Sequence, residues 1–180
     1  MKERGPENQL SEEEARRLLG RLMLAWDGQW FLKVAEACGL PKAVELNARV
    51  RASFGRIEIR EYLKALDRPP ASSVEEAVRL LDGYNRIFLG EGMAARWVVG
   101  ETGLEVRVTR CFPQEGAGKA GLRPDTPCIA CQRVWASWLE IALPGTIWST
   151  EVREAMGRGA RSCLILLRQT QNEAPVRAEP

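Results

Sequence analysis

The sequence contains no histidine. Without an imidazole, neither a Ser–His nor a Cys–His catalytic arrangement can form. A catalytic cysteine would then need a carboxylate, a lysine or a helix terminus to activate it. The chain also lacks a phosphate-binding P-loop and a dinucleotide fingerprint, since the glycines of 116–121 have no parallel βαβ context around them. These absences exclude the commonest hydrolase and nucleotide-binding classes.

Long apolar runs and charge runs of one sign are also missing. No stretch approaches the roughly 20 apolar residues that cross a bilayer. The 26 basic and 24 acidic residues are interspersed, with a net charge of +2, so the sequence predicts neither a membrane nor a nucleic-acid partner. The polar N-terminus has no apolar signal core, which predicts a cytoplasmic protein. Thiols stay reduced there, so the five cysteines favour metal or thiolate chemistry over disulfides.

Length and composition predict one globular domain. The chain has 180 residues, of which 45% are hydrophobic and 28% charged, an ordinary balance for a folded domain. We expect polar tails at 1–9 and 169–180 and a single domain over 10–168. Within it, 10–83 is predicted to be helical and 84–168 to carry a sheet and the cysteines.

Capping residues and apolar spacing predict about four helices in the first half. Residues 11–14 form a capping box, and apolar residues follow at helical spacing. Asp27 and Gly28 predict a kink or a new helix start, and Gly55 predicts a further break. A second capping box predicts a short helix over 73–81.

The second half changes to an alternating, strand-like period. Residues 96–99 and 104–109 are predicted to form a hairpin. An exposed loop over 116–127, a helix over 129–143 and a strand over 161–168 follow. This order predicts an α+β fold, in which a helical part precedes a small antiparallel sheet with a packed central helix.

Four cysteines of the second half predict a common site. Cys111 ends a strand, Cys128 and Cys131 begin a helix, and Cys163 lies in the last strand. A helix start favours thiolates and lowers their pKa, and four soft ligands suit zinc or, alternatively, an iron–sulfur cluster. Inert packed thiols and a redox pair of Cys128 and Cys131 stay open as alternatives. Cys38 is predicted to be a core residue.

An aromatic ligand pocket is the second candidate site. Trp26 to Phe31 is unusually rich in aromatic residues, and most other tryptophans fall in the cysteine-bearing half. The candidate pocket residues are Asp27, Trp30, Trp97, Trp135 and Trp138. The alternative is that Asp27 caps a helix and the tryptophans fill the core.

Four segments together resemble a family of uncharacterised bacterial and archaeal proteins, DUF6125. They are WDGQWFLKVAEACGLPKAVELNARV, RVTRCFPQ, PCIACQRVW and GRGARSCLILL. The later half is similar in plan to L-2-amino-thiazoline-4-carboxylic acid hydrolase-like proteins and, more distantly, to the 4-vinyl reductase (V4R) domain. V4R-like sensory domains hold zinc with cysteines at comparable positions. The resemblance therefore implies a metal-binding role for Cys111, Cys128 or Cys131, and Cys163.

The sequence thus predicts a cytoplasmic, zinc-binding α+β domain with a small-molecule pocket and a ligand-binding or sensory role. The alternative is a hydrolase that opens a small C–N ring with a cysteine thiolate or a metal-bound water. A redox thiol module is a third hypothesis. The expected partner is a small molecule, and a homodimer is left open.

Overall fold

A computed structural model describes residues 10–101 and 103–170 of the chain. Five helices and four strands make up this part, with the antiparallel sheet that the sequence predicts for an α+β fold. In chain order they are α1 (Glu12–Cys38), α2 (Leu40–Ala65), α3 (Val74–Phe88), β1 (Met93–Gly100), β2 (Gly103–Cys111), α4 (Phe112–Lys119), α5 (Cys128–Ala142), β3 (Ile147–Glu154) and β4 (Cys163–Thr170). Among these helices, none is long and apolar enough to cross a membrane.

Helix α1 begins at the predicted cap and lies on the surface against α2. The Glu14 amide donates to Ser11 Oγ at 3.3 Å, and the Ser11 amide donates to the Glu14 carboxylate at 2.8 Å, which confirms the capping box. The helix continues through Asp27 without a break, so the predicted start of a new helix there is wrong, and the alternative of a kink stays a prediction. No residue of α1 is buried. Cys38, its last residue, is exposed, so the prediction of a core cysteine is also wrong.

Gly55 does not break α2 and Gly83 does not end α3. The sequence predicts a break at Gly55 and a helix end at Asp82 and Gly83, and both predictions are wrong. A Cβ on Gly55 would lie 3.0 Å from Val134 Cγ2 and 3.2 Å from Trp138 Cδ1. A Cβ on Gly83 would lie 2.7 Å from Tyr62 Oη. Both glycines therefore allow close helix contacts. The first half consequently has three helices rather than about four, and α3 extends beyond the predicted 73–81.

The strands are arranged in the order β1-β2-β4-β3, and all neighbours are antiparallel. The β1–β2 hairpin confirms the prediction, although Thr102 of its turn lies outside the described residues. Strand β3 was not predicted, because its exposed side carries Glu151 and Arg153 at an edge of the sheet and leaves a weak apolar pattern. The sheet therefore has one more strand than expected.

A β-bulge changes which way the end of β2 faces. Leu104, Val106 and Val108 are buried on one face, as predicted. The register then shifts, since Ala95 pairs with Val108 while Met93 pairs with Cys111. One extra residue in β2 reverses which face of the sheet the following side chains point to. Cys111 consequently joins the core-facing side. Strict alternation along the strand predicts from the sequence that Cys111 shares the face of Glu105, and that prediction is wrong.

Two further segments position the site. Helix α4 occupies Phe112–Lys119, so the predicted loop over 116–127 is wrong for its first four residues. Pro113 fits the first turn of this helix, and Ala117 is buried. Helix α5 (Cys128–Ala142) confirms the predicted central helix to within one residue. It packs between α2 and the sheet.

Candidate functional site

A cavity of about 330 Å³ lies between α1, α2, α5 and the inner face of the sheet. Its walls are mainly apolar and aromatic, and helix α5 supplies its floor. The apolar wall includes Leu24, Phe54, Phe88, Leu89, Met93, Phe112, Ala130, Val134, Trp135, Trp138, Val152 and Ile165. A cavity of this size and character suits a compact organic molecule.

The cavity opens between α1 and α2. Of its lining residues, Met23, Trp26 and Val50 are the strongly exposed ones in the part of the chain that the structure describes. Other lining residues, such as Trp138 and Ile165, are fully buried. The exposed three therefore mark the mouth.

Three of the five predicted pocket residues line this cavity. These are Asp27, Trp135 and Trp138. Trp97 lies behind the wall, where its ring packs edge-on against that of Trp135 with centroids 5.0 Å apart. Trp30 is half-buried on α1 and is not among the lining residues.

One face of α2 contributes lining residues that the sequence reasoning missed. Asn47, Val50, Arg51 and Phe54 all line the cavity. Their spacing of three, one and three residues places them on one helix face. That spacing was visible in the sequence, but it includes the polar residues Asn47 and Arg51, and so it did not indicate an apolar binding site.

The four cysteines of the second half line the same cavity. The bulge turns Cys111 inward, and Cys163 pairs with Val108 on the neighbouring strand. Cys128 and Cys131 come from the first turn of α5. The four thiols that the sequence grouped therefore line one cavity.

Hydrogen bonds hold two of the sulfur atoms. Trp135 Nε1 donates to Cys131 Sγ at 3.0 Å, and the Met156 amide donates to Cys163 Sγ at 3.3 Å.

The backbone at Gly157 packs closely against the loop before α5. A Cβ on Gly157 would lie 2.6 Å from Pro124 O and 2.8 Å from Asp125 N. Only glycine permits this approach, which brings the turn before Cys163 against the loop before α5.

Burial raises the thiol pKa values instead of lowering them. Burial raises the pKa of Cys131 to about 12 and that of Cys111 to about 11, and neighbouring thiolates add to both shifts. The pKa of Cys128 is also raised, first by burial and then by Cys163. The expectation that the helix start lowers these pKa values is therefore wrong. At neutral pH these thiols are protonated, and so they are weak nucleophiles.

The thiol positions do not form a complete ligand set for a metal. Over residues 10–101 and 103–170, no three His, Cys, Asp or Glu side chains form a group that could hold an ion. All five cysteines are free thiols. A zinc or iron–sulfur site would therefore need the cysteine side chains to move closer together.

A buried polar network lies beneath the aromatic wall. Trp138 Nε1 donates to the Glu58 carboxylate at 2.8 Å, and Arg51 Nη1 lies 3.5 Å from the other Glu58 oxygen. The Arg51 guanidinium also lies 5.9 Å from the centroid of the Phe54 ring. Burial, with Glu58 nearby, raises the pKa of Tyr84 and keeps its phenol neutral. The network fixes Trp138 and Arg51 in the cavity wall.

Comparison with known proteins identifies a similar structure but no family. No family model matches the sequence, and no curated protein matches it. A crystal structure of the phenol-responsive sensory domain of the transcription activator PoxR, with phenol, is similar over 79% of this chain and 72% of that chain. The TM-score is 0.54 and the sequence identity is 11%. The two chains therefore share a fold, and the resemblance to DUF6125 stays a prediction.

Proposed function

We propose that this domain binds a compact, mainly apolar small molecule in its cavity and serves as a ligand-binding sensory module. The cavity carries this proposal. Its volume of about 330 Å³ lies at the lower end of the range for small-molecule sites. Six aromatic side chains and a few polar groups line it, which is the usual composition of such a site. A mouth between two surface helices gives a ligand access.

The shared fold supports the sensory part of the proposal. The similar structure is a phenol-responsive domain of a transcription activator, in which ligand binding is coupled to a response. Nothing in this cavity favours catalysis over binding, because raised pKa values keep the thiols of Cys111, Cys128 and Cys131 protonated at neutral pH and the sequence has no histidine. The hydrolase and redox hypotheses, the cytoplasmic location and the homodimer stay predictions.

Filling the cavity is expected to abolish ligand binding. Ala130 is buried and lines the cavity, so Ala130→Leu adds volume where the ligand would lie. With phenol as the probe at about 100 times its Kd, the wild-type chain should gain about 2.7 kcal/mol of stability, or about 5–10 °C in melting temperature. Ala130→Leu should lose most of that shift, as thermal denaturation with and without phenol would measure.

Ala37→Leu is the matched control. Ala37 is an exposed helical alanine in α1, so its variant should respond to phenol as the wild type does. An equal phenol shift in Ala130→Leu and Ala37→Leu would place the binding outside this cavity. The absence of a shift with phenol, with related alcohols and with charged aromatic compounds of the same size in the wild type would contradict the proposed function.

We also propose that the cavity thiols bind zinc. What supports this proposal is that all four cysteines line the same cavity and that a charge on one thiol would raise the pKa of its neighbours. A divalent cation removes that repulsion and stabilises the deprotonated form. Cys111, Cys128, Cys131 and Cys163 would be the ligands, after the side-chain movement that the present positions require. When bound, zinc would supply a structural cross-link between the strand ends and α5.

Metal analysis tests this second proposal. Protein purified anaerobically should contain about one zinc per chain, and Cys128→Ser should lower both the zinc content and the stability. A loss of about 2 kcal/mol corresponds to about 4–8 °C in melting temperature. Cys38→Ser, which changes an exposed cysteine, should alter neither. Iron with visible absorbance would indicate the cluster alternative, and a preparation with neither metal would contradict the proposal.

A further inference from the structure

The cavity wall carries one acidic and one basic side chain, and the basic one already has a partner. Among the lining residues in the described ranges, these are Asp27 and Arg51. Arg51 faces Glu58, whose side chain is only 3% exposed and whose Oε1 accepts no hydrogen bond. Removing Arg51 from Glu58 would leave a buried, uncompensated carboxylate, which is strongly unfavourable. Arg51 is therefore held by the protein and is not free to bind an anionic ligand.

Asp27 has no such partner. Within residues 10–101 and 103–170, no Lys or Arg nitrogen lies within 4.0 Å of its carboxylate, and no side-chain hydrogen bond reaches it. It is half-buried on the cavity side of α1. The one unneutralised charge of the wall is therefore negative.

A second group in the wall also lacks a donor. The Oδ1 atom of Asn47 is buried and accepts no hydrogen bond from the described part of the chain, and Asn47 lines the cavity. A carboxylate and a carbonyl oxygen are both acceptors. An occupant that satisfies both must present hydrogen-bond donors.

Aromatic rings line the same cavity as these acceptors. Trp26 precedes Asp27 on α1 at the mouth, and Phe54 and Trp138 lie in the wall. The faces of such rings attract cations, and most strongly where water is excluded. A negative charge, a free acceptor and aromatic faces together favour a positively charged group on an apolar body.

We propose that the ligand of this cavity is an organic cation, an apolar amine in its ammonium form, whose nitrogen donates to Asp27 and Asn47. This inference rests on the proposed function, because it names the chemical class that the same cavity binds. An anionic ligand is disfavoured, since it would meet Asp27 and would compete with Glu58 for Arg51.

Three probes of one shape test the inference. They are 2-phenylethylamine, 2-phenylethanol and phenylacetate, which differ in charge and share the same ring and chain. Titration calorimetry on the full chain should give the amine about tenfold tighter binding than the alcohol, with phenylacetate weakest. Asp27→Asn should remove the preference for the amine and leave the affinity for the alcohol within about twofold. Asp67→Asn, at an exposed position outside the cavity, should keep the preference.

Each other outcome has a distinct meaning. Equal affinities for amine and alcohol, tightest binding of phenylacetate, or a preference that survives in Asp27→Asn would overturn the cation inference and leave the binding function intact. If none of the three probes binds and phenol also fails to bind, the proposed function is wrong and the inference is wrong with it. Tighter binding of the amine at low salt only, with Asp27→Asn unchanged, would indicate surface attraction and would likewise overturn it.

Discussion

Trp138→Ala is expected to lower the free energy of unfolding by about 3–5 kcal/mol, in the range measured for large buried aromatic residues. The side chain is 1% exposed. Its ring packs against Trp135 and Tyr84 with centroid distances of 5.1 and 5.4 Å. The substitution would remove these contacts, enlarge the cavity and deprive the buried Glu58 of its indole donor. Urea denaturation followed by circular dichroism measures the change.

Trp26→Ala is the matched control for this experiment. Trp26 also lines the cavity, but it is 65% exposed at the mouth. Its replacement should therefore change the free energy of unfolding by about 0.5 kcal/mol or less. A loss below about 1 kcal/mol for Trp138→Ala would contradict the buried position of this indole.

Arg51→Met should lower the free energy of unfolding nearly as much as Trp138→Ala does. It replaces a charged residue with an apolar one of similar length. The Arg51 side chain is 18% exposed and that of Glu58 is 3% exposed, with 3.5 Å between the paired atoms. Removing one partner of a buried ion pair typically costs about 3–5 kcal/mol, because the other charge is left without compensation. We expect about 3 kcal/mol here, since Trp138 still donates to Glu58, as urea denaturation would measure.

The double variant separates the charge effect from the packing effect. Glu58→Gln keeps an acceptor for Trp138 Nε1 and removes the charge that Arg51 balances. Arg51→Met with Glu58→Gln should therefore be more stable than Arg51→Met alone, by about 1–2 kcal/mol. A double variant that is less stable than either single variant would mean that the pair does not compensate charge. Arg49→Met, at an exposed position with a side chain that is 73% exposed, should have little effect.

Much of the fold follows from local signals, and the errors have a common cause. The capping box at Ser11, the β1–β2 hairpin and helix α5 were predictable, because each depends on residues that are close in sequence. Gly55 and Gly83 were misjudged because their role is tertiary: they allow α5 and Tyr62 to approach. Helix propensity cannot distinguish a glycine that ends a helix from a glycine inside a helix against which another side chain packs closely.

The candidate site divides in the same way. The four cysteines of the second half and the two tryptophans of α5 were identified from their residue types, and all six line the cavity. The inward turn of Cys111 depends on a bulge in the pairing of two strands, which no sequence pattern indicated. Nor could the sequence show that burial raises the thiol pKa values, because burial is set by elements far away in the chain.

A crystal structure of the full chain soaked with 4-bromophenol tests the central claim most directly, since the anomalous signal of bromine locates the ligand. The account predicts one bromine site per chain inside the cavity, within contact distance of Phe54, Val134 and Trp138. A bromine site on the outer surface alone, or an empty cavity at a saturating concentration, would contradict it.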